Sequence, residues 1–296
     1  MCRLYGFRSA IDSTVHRSLV AAENAIARQS RMHKDGWGLA FYVGGYPHIL
    51  RNDAQADGDT LFRDVSSVVA TRTFMAHIRK ATAGSVRVLN CHPFQHGAWT
   101  FAHNGQIGGF SDPAVRARVE RLIDPRYDRF VLGDTDSELI FYAFLSRLSR
   151  RVADLQNPGV TADPVLAALR ETVAALLDAG ADDDEAEDLP TKLNFLITNG
   201  SVMVAYRYRV SLFYSTHKSH CPERDTCYAF VQGRCEQPVS DGIVNHLLVS
   251  SEVIEGGNNV WKAVPEDTYV AVDHGMNFRT GRLVGIDPPP TPEACG

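Results

Sequence analysis

The chain opens Met1-Cys2-Arg3-Leu4-Tyr5-Gly6-Phe7. Removal of Met1 would make Cys2 the N-terminal residue, with a thiol and a free α-amine on one residue. An α-amine titrates at about 7.7–8.0 and a free thiol at about 8.5, so nucleophile and base are both poised near neutral pH. Enzymes that use an N-terminal Cys, Ser or Thr exploit this pairing. The same stretch also reads more simply as a short strand over residues 3–8, with Leu4, Tyr5 and Phe7 supplying bulk. The rest of the chain weighs between the two.

Its 296 residues suit one large domain or two small ones. A hydrophobic content of 44% and a charged content of 22% fit a globular protein with a sizeable core. The formal net charge of −5 gives no support to a nucleic-acid partner. No apolar run reaches the ~18 residues that span a bilayer, and the N-terminus lacks a signal-peptide core. The expectation is a cytoplasmic protein without a membrane partner: one unit over residues 2–287 and a flexible tail over 288–296.

Six cysteines are scattered at Cys2, Cys91, Cys221, Cys227, Cys235 and Cys295, so a disulfide framework is not expected. Three fall between 221 and 235, after His217 and His220. That cluster reads either as metal ligands or as a loop that carries thiols. Its spacing matches no CxxC ligand pair, and no metal is expected.

Taken in order, Ser13 or Thr14 could cap a helix with Val15, Leu19, Ala22 and Ile26 on one face. Asp35-Gly36-Trp37-Gly38 leads into an apolar strand, Gly44-Gly45 turns it, and Pro47 to Leu50 returns. Asp59 or Thr60 starts a helix through Phe62 and Val65. Thr73 to Ile78 is a strand that delivers Arg79 to Gly84 at its end. Trp99 to Ala102 is another, ending in His103-Asn104-Gly105.

Ser111 with Pro113 marks a helix start, and Gly133-Asp134-Thr135-Asp136-Ser137-Glu138 opens the next. Asp163-Pro164 opens a third, closed near Gly180. Residues 182–188 read as an acidic solvated loop. Asn199-Gly200 reads as a hairpin turn between Lys192–Thr198 and Ser201–Tyr208. Strands are expected at 210–215, 228–231, 247–250, 269–273 and 282–286. Many strands around a few long helices suggest an α+β layered fold.

Polar groups at element ends are the candidates for chemistry. Arg79 is a surface arginine or a fork for a carboxylate, with Thr82 adding a hydroxyl. Asn104-Gly105 is a hairpin turn or an oxyanion hole. Asp136 sits in a first helical turn, where the dipole favours a carboxylate; functionally it would accept hydrogen bonds from an ammonium. His92 and His103 read first as structural hydrogen-bonders. Together, a thiol, an oxyanion hole, an Arg and an Asp would hold the amino-acid end of glutamine and attack its side-chain amide.

With these residues in view, the chain resembles the class II glutamine amidotransferases of the N-terminal-nucleophile (Ntn) hydrolase superfamily. It is most similar to the stand-alone branch that includes the ergothioneine-pathway γ-glutamyl hydrolase. The resemblance rests on Met1-Cys2-Arg3-Leu4, Asp35-Gly36-Trp37-Gly38, Ala76-His77-Ile78-Arg79-Lys80-Ala81-Thr82, Asn90-Cys91-His92-Pro93-Phe94, Ala102-His103-Asn104-Gly105 and the motif from Gly133 to Glu138, in the family's order. These motifs cover the first half of the chain; the second half fits more loosely, through Val249-Ser250-Ser251-Glu252.

The resemblance implies a four-layer αββα sandwich of two antiparallel sheets flanked by helices. It implies Cys2 as nucleophile with its α-amine as base, and Asn104 and Gly105 as oxyanion hole. Arg79 and Thr82 would bind the glutamine carboxylate, Asp136 and the Gly105 carbonyl the ammonium; His92 is placed with the substrate-binding set. No cofactor is implied. Lys80 and Ala83 depart from the Trp and His of glucosamine-6-phosphate synthase.

The expected activity is hydrolysis of the γ-glutamyl amide of glutamine or a γ-glutamyl metabolite through a Cys2 thioester. The alternatives are a glutaminase subunit that feeds ammonia to a separate synthetase partner, and a non-catalytic module that responds to redox state or metal.

Overall fold

The computed structural model describes residues 2–180, 190–239 and 242–285. Among these, fourteen strands form two antiparallel sheets stacked face to face. In spatial order the first is Lys262–Ala263 (β12), Phe213–Ser215 (β9), His246–Ser250 (β11), Arg3–Thr14 (β1), Ala70–Ile78 (β4), Trp37–Val43 (β2) and Tyr46–Asn52 (β3). The second is Gly242–Ile243 (β10), Asn277–Arg282 (β14), Thr268–Val272 (β13), Met203–Arg207 (β8), Lys192–Thr198 (β7), Trp99–Gln106 (β6) and Phe94–His96 (β5). The helices are Ile26–Gln29 (α1), Thr60–Val68 (α2), Pro113–Glu120 (α3), Asp136–Leu148 (α4), Ala162–Ala179 (α5) and Gln232–Cys235 (α6).

Strand alternation builds three apolar layers. Leu4, Ala40 and Met75 of the first sheet meet Ala102, Leu196, Ala205 and Val270 of the second between the sheets. Their sequence neighbours Tyr5, Phe7, Leu39, Phe74 and Ile78 point outward and pack with Leu19, Ile26 and Phe62. On the far side Phe101, Leu193, Phe195 and Ile197 pack on α4 and α5. Strands buried on both faces read as near-continuous apolar runs, as these do. The αββα sandwich is therefore the fold of this chain.

α4 is buried along almost its whole length, which explains its apolar sequence from Leu139 to Leu145. Its start is set by Thr135, whose hydroxyl accepts the Glu138 N–H at 3.3 Å. The Glu138 carboxylate reaches back to the Leu132 and Gly133 N–H groups at 3.1 and 2.6 Å. These contacts fix Asp136 in the first turn.

Four expectations are corrected. β1 runs on to Thr14, so neither Ser13 nor Thr14 caps a helix. In place of one helix, Arg17–Ala21 form a single π-helical turn and α1 begins at Ile26; Val15, Leu19, Ala22 and Ile26 still bury together. The reason is a bulge between Arg8 and Ser13, which keeps the strand paired with β4 as far as Thr14. Residues 228–231 are not a strand; they lead into α6. Among the described residues the last strand is Asn277–Arg282, earlier than the one expected at 282–286, because Asp273 accepts the Gly275 and Asn277 N–H groups and turns the chain earlier. Asp112, not Ser111, caps α3, accepting the Ala114 N–H at 2.8 Å. The acidic 182–188 segment and the 288–296 tail lie outside the described residues.

Candidate active site

The register of the first sheet pairs Arg3 with Ile78, so Cys2 and Arg79 follow at the same end of β1 and β4. There the Cys2 thiol faces the Lys80 backbone. The Lys80 N–H donates to Sγ at 3.2 Å, and the thiol donates to the Lys80 carbonyl at 3.3 Å. Burial pushes the thiol pKa up; the Lys80 hydrogen bond and the Arg79 charge oppose it, and Asp136 adds to it.

The turn after β4 is held by the Asp35-Gly36-Trp37-Gly38 motif. The Asp35 carboxylate accepts the Ala81 N–H at 2.8 Å, and the Gly36 carbonyl accepts the Arg79 N–H at 2.8 Å. Gly38 is required by contact: a Cβ there would lie 1.9 Å from the His92 carbonyl oxygen. The buried Arg79 guanidinium donates to the carbonyls of Ala83 and Ser85, each at 3.0 Å, and so ties down the loop that carries Thr82.

The second sheet supplies the facing wall. Asn104 and Gly105 lie inside β6, opposite Asn194 and Leu193, so they are not a turn. Gly105 is selected by close approach, because a Cβ there would sit 1.9 Å from the Lys192 carbonyl oxygen. β5 pairs with β6 only as far as Phe101, so residues 102–106 have no strand partner on that edge among the described residues. The Asn104 Nδ2 donates to Ser251 Oγ at 3.2 Å, and its buried Oδ1 has no partner. A 180° turn of this amide would let the Ser251 hydroxyl donate to Oδ1 and move the Nδ2 donor to the unpaired position.

Asp136 is 3% exposed. One carboxylate oxygen accepts the Ile107 N–H at 2.9 Å and the other the Ser137 N–H at 2.8 Å, which leaves lone pairs on both. His103 Nε2 lies 3.0 Å from the Lys192 carbonyl and must donate to it; Nδ1 then accepts from the Ser137 hydroxyl at 2.9 Å. Both ring nitrogens of His103, which also lines the cleft beside Cys2, are thus engaged within the protein. Burial holds its pKa below the usual range, against the pull of Asp136.

His92 is buried at ring-centroid distances of 4.2 Å from His77 and 4.7 Å from Phe94. Neither ring nitrogen has a partner, and burial followed by the neighbouring His77 and His103 holds its pKa well below 6.5. It is a neutral imidazole with one donor and one acceptor to spare.

Cys2, Arg79, Thr82, His92, Gly105 and Asp136 all line one narrow cleft, about 20 Å³ and little larger than one water. Asn104 stands beside it without lining it. Of the two readings of 217–235, metal ligands and a thiol-bearing loop, the first finds no geometric support: among the described residues no three His, Cys, Asp or Glu side chains converge as metal ligands. No described helix is long and apolar enough to cross a membrane.

Residues 1–285 match the family model for class-II glutamine amidotransferases. The chain belongs to this family. A Saccharomyces cerevisiae protein named "Probable glutamine amidotransferase DUG3" is 27% identical over 301 residues, 92% of this chain and 82% of its own. The gamma-glutamyl-hercynylcysteine sulfoxide hydrolase of Mycobacterium tuberculosis is 34% identical over 116 residues, 36% of this chain and 50% of its own. A solved glutamine aminotransferase class-II domain protein from Silicibacter pomeroyi shares the fold at TM-score 0.62 and 20% identity, covering 96% of this chain and all of that one. The Bacillus subtilis glutamine phosphoribosylpyrophosphate amidotransferase matches at TM-score 0.58 and 13% identity, covering 96% of this chain and half of that one.

For a class II amidotransferase, three residues that the sequence reading gave no role lie around the cleft. Ser251 Oγ accepts the Leu4 N–H at 3.0 Å as well as the Asn104 amide, and so joins the nucleophile strand to Asn104. Asn90 donates to the Ser85 carbonyl at 2.8 Å and accepts the Asp134 N–H at 3.1 Å, riveting the Arg79 loop to the α4 entry. His33 is buried with its pKa lowered to about 4, by desolvation first and then by Arg3. Ser251 was legible: it is a polar residue at the end of an apolar strand, as Arg79 is.

Proposed function

We propose that the protein hydrolyses the γ-glutamyl amide bond of glutamine or a γ-glutamyl metabolite through a Cys2 thioester, releasing glutamate. The observation that carries this reading is the shared cleft of Cys2, Arg79, Gly105 and Asp136, residues up to 134 positions apart in the sequence.

In this reading Met1 is removed and the α-amine takes the Cys2 proton, directly or through one water. A base on the same residue answers the burial that disfavours the thiolate, and the Lys80 N–H receives the charge as it forms. The thiolate attacks the δ-carbonyl. Asn104 Nδ2 and the Gly105 N–H on the free edge of β6 hold the oxyanion. Arg79 and Thr82 take the α-carboxylate, while Asp136 and the Gly105 carbonyl take the α-ammonium. Neutral His92 bounds the cleft without adding charge. The leaving amine is protonated by the α-ammonium, and water then releases glutamate from the thioester. The cleft as it stands admits little more than a water, so the Lys80–Ser85 loop moves outward to admit a glutamyl group.

The test is glutamate release by the processed protein from glutamine and from a panel of γ-glutamyl amides, with Cys2→Ala as control. Fast release from one bulky γ-glutamyl amide, with glutamine poor, is expected; the mycobacterial relative's name supports this preference. Equal activity in Cys2→Ala would overturn it. A second reading, ammonia supply to a separate synthetase, draws on the exposed Val86, Val88 and Leu89 that follow the Arg79 loop. It predicts slow release from every substrate until the synthetase is added.

A further inference from the structure

A second, roomier cavity lies elsewhere. It holds about 390 Å³, within the range of small-molecule sites, and shares no lining residue with the cleft of Cys2. Its floor is the outer face of β1 and β11, where Phe7 and Leu248 pair, and its roof is the 218–235 segment. Three free thiols line it: Cys221, Cys227 and Cys235.

Cys235 is distinguished among the three. Its sulfur receives the Asn245 Nδ2–H at 2.9 Å and lies 3.5 Å from the Val231 N–H. Two N–H donors are thus aimed at one sulfur, the atom that would attack in disulfide exchange. The backbone ties Lys218 to this residue, since the Lys218 N–H donates to the Cys235 carbonyl at 2.8 Å. Lys218 and Arg17 both line the cavity, and neither has an ion-pair partner among the described residues. Two more lining residues keep unsatisfied buried atoms, His246 Nε2 and Asn259 Oδ1. The acids of the lining, Asp12, Glu223 and Glu255, belong to exposed residues.

We propose that this cavity is a second site, which takes a low-molecular-weight anionic thiol as a mixed disulfide on Cys235. The Cys235 thiolate attacks one sulfur of the small disulfide. The S–S bond breaks, a new bond to Cys235 forms, and the other half leaves as a thiolate. That thiolate takes up the proton Cys235 gave to solvent, so the small disulfide is the only oxidant needed. Lys218 and Arg17 receive the carboxylate, the polar atoms of His246 and Asn259 meet its hydrogen-bonding groups, and Phe7 and Leu248 carry the stem. Cys221 or Cys227 can then resolve the adduct.

The test treats the reduced full-length protein with dithiodipropionate, an anionic disulfide, or with cystamine, its cationic counterpart, and maps adducts by peptide mass spectrometry. The expected result is an adduct on Cys235 that forms at least about tenfold faster with dithiodipropionate, a preference that Lys218→Ala reduces. Replacing Cys221 and Cys227 by Ser should trap that adduct. The proposal is overturned if Cys235 stays unmodified in the wild-type protein while the more exposed Cys227 reacts. It is equally overturned if both reagents label Cys235 at the rate of the urea-unfolded chain.

Discussion

Two cavities of the protein, one at the start of β1 and one on its outer face, are built on opposite terms. The Cys2 cleft is closed to about 20 Å³, and its walls are tied by hydrogen bonds between segments: Lys80 to Cys2, Ala81 to Asp35, Ile107 to Asp136. The thiol-lined cavity has about 390 Å³, and its Lys218 and Arg17 have no ion-pair partner among the described residues. β1 links them: Cys2 immediately precedes its first residue, and Tyr5, Phe7 and Ser9 along it line the larger cavity. A site for chemistry needs donors fixed before charge develops, so that no reorganisation is needed during reaction. A site for a variable ligand needs space and uncommitted groups. The contrast is between preorganisation and capacity.

The largest test of that contrast is Cys2→Ala. It should lower glutamate release by at least about 10⁴-fold, the scale seen when a nucleophile is removed from a preorganised site, while the melting temperature stays within a few degrees. Retained activity would mean that the cleft is not where reaction occurs. Asn104→Ala comes next. The loss of one oxyanion donor is expected to cut kcat by about 10²–10³-fold with little change in KM. Arg79→Lys should instead raise KM by roughly 30–100-fold, because a lysine cannot both hold the Ala83 and Ser85 carbonyls and fork a carboxylate. Steady-state kinetics separates the two. Ser251→Ala acts only through Asn104 and Leu4, so a kcat loss of about tenfold is expected, smaller than that of Asn104→Ala.

The cleft was largely legible in the sequence and the second cavity was not, for a physical reason. Cys2, Arg79 and Asp136 sit at ends of strongly patterned elements, and their backbone neighbours set their positions. Asn104-Gly105 shows the limit of such reading. The pair is a turn signal wherever the chain reverses, but here Gly105 answers the approach of the Lys192 carbonyl from a neighbouring strand. Nothing local in the sequence announces that approach. The thiol cavity depends wholly on such contacts: Ser9 beside His246, Lys218 beside Asn259, and Asn245 reaching Cys235. Residues 217–235 therefore offered a choice of metal cluster or loop, while the structure gives the roof of a cavity.

The smallest predicted effect compares how dry the two regions are. His77, between the sheets, and His246, at the cavity wall, both have folded pKa values lowered to about 3, chiefly by burial. An unfolded histidine titrates at about 6.5, so between pH 6.5 and 3 the unfolded chain binds protons that the folded chain refuses. Stability is then present in full above pH 6.5 and falls as pH drops, by up to about 1.4 kcal/mol per unit for each group. His77 is 0% exposed, whereas His246 is only half-buried, where contact with solvent weakens a charge's energy. Urea unfolding at pH 7 and pH 5 should therefore show a flatter pH dependence in both His77→Gln and His246→Gln, with the larger flattening in His77→Gln. Equal flattening would mean that the cavity wall is as dry as the space between the sheets, and the contrast between a closed site and an open one would fail.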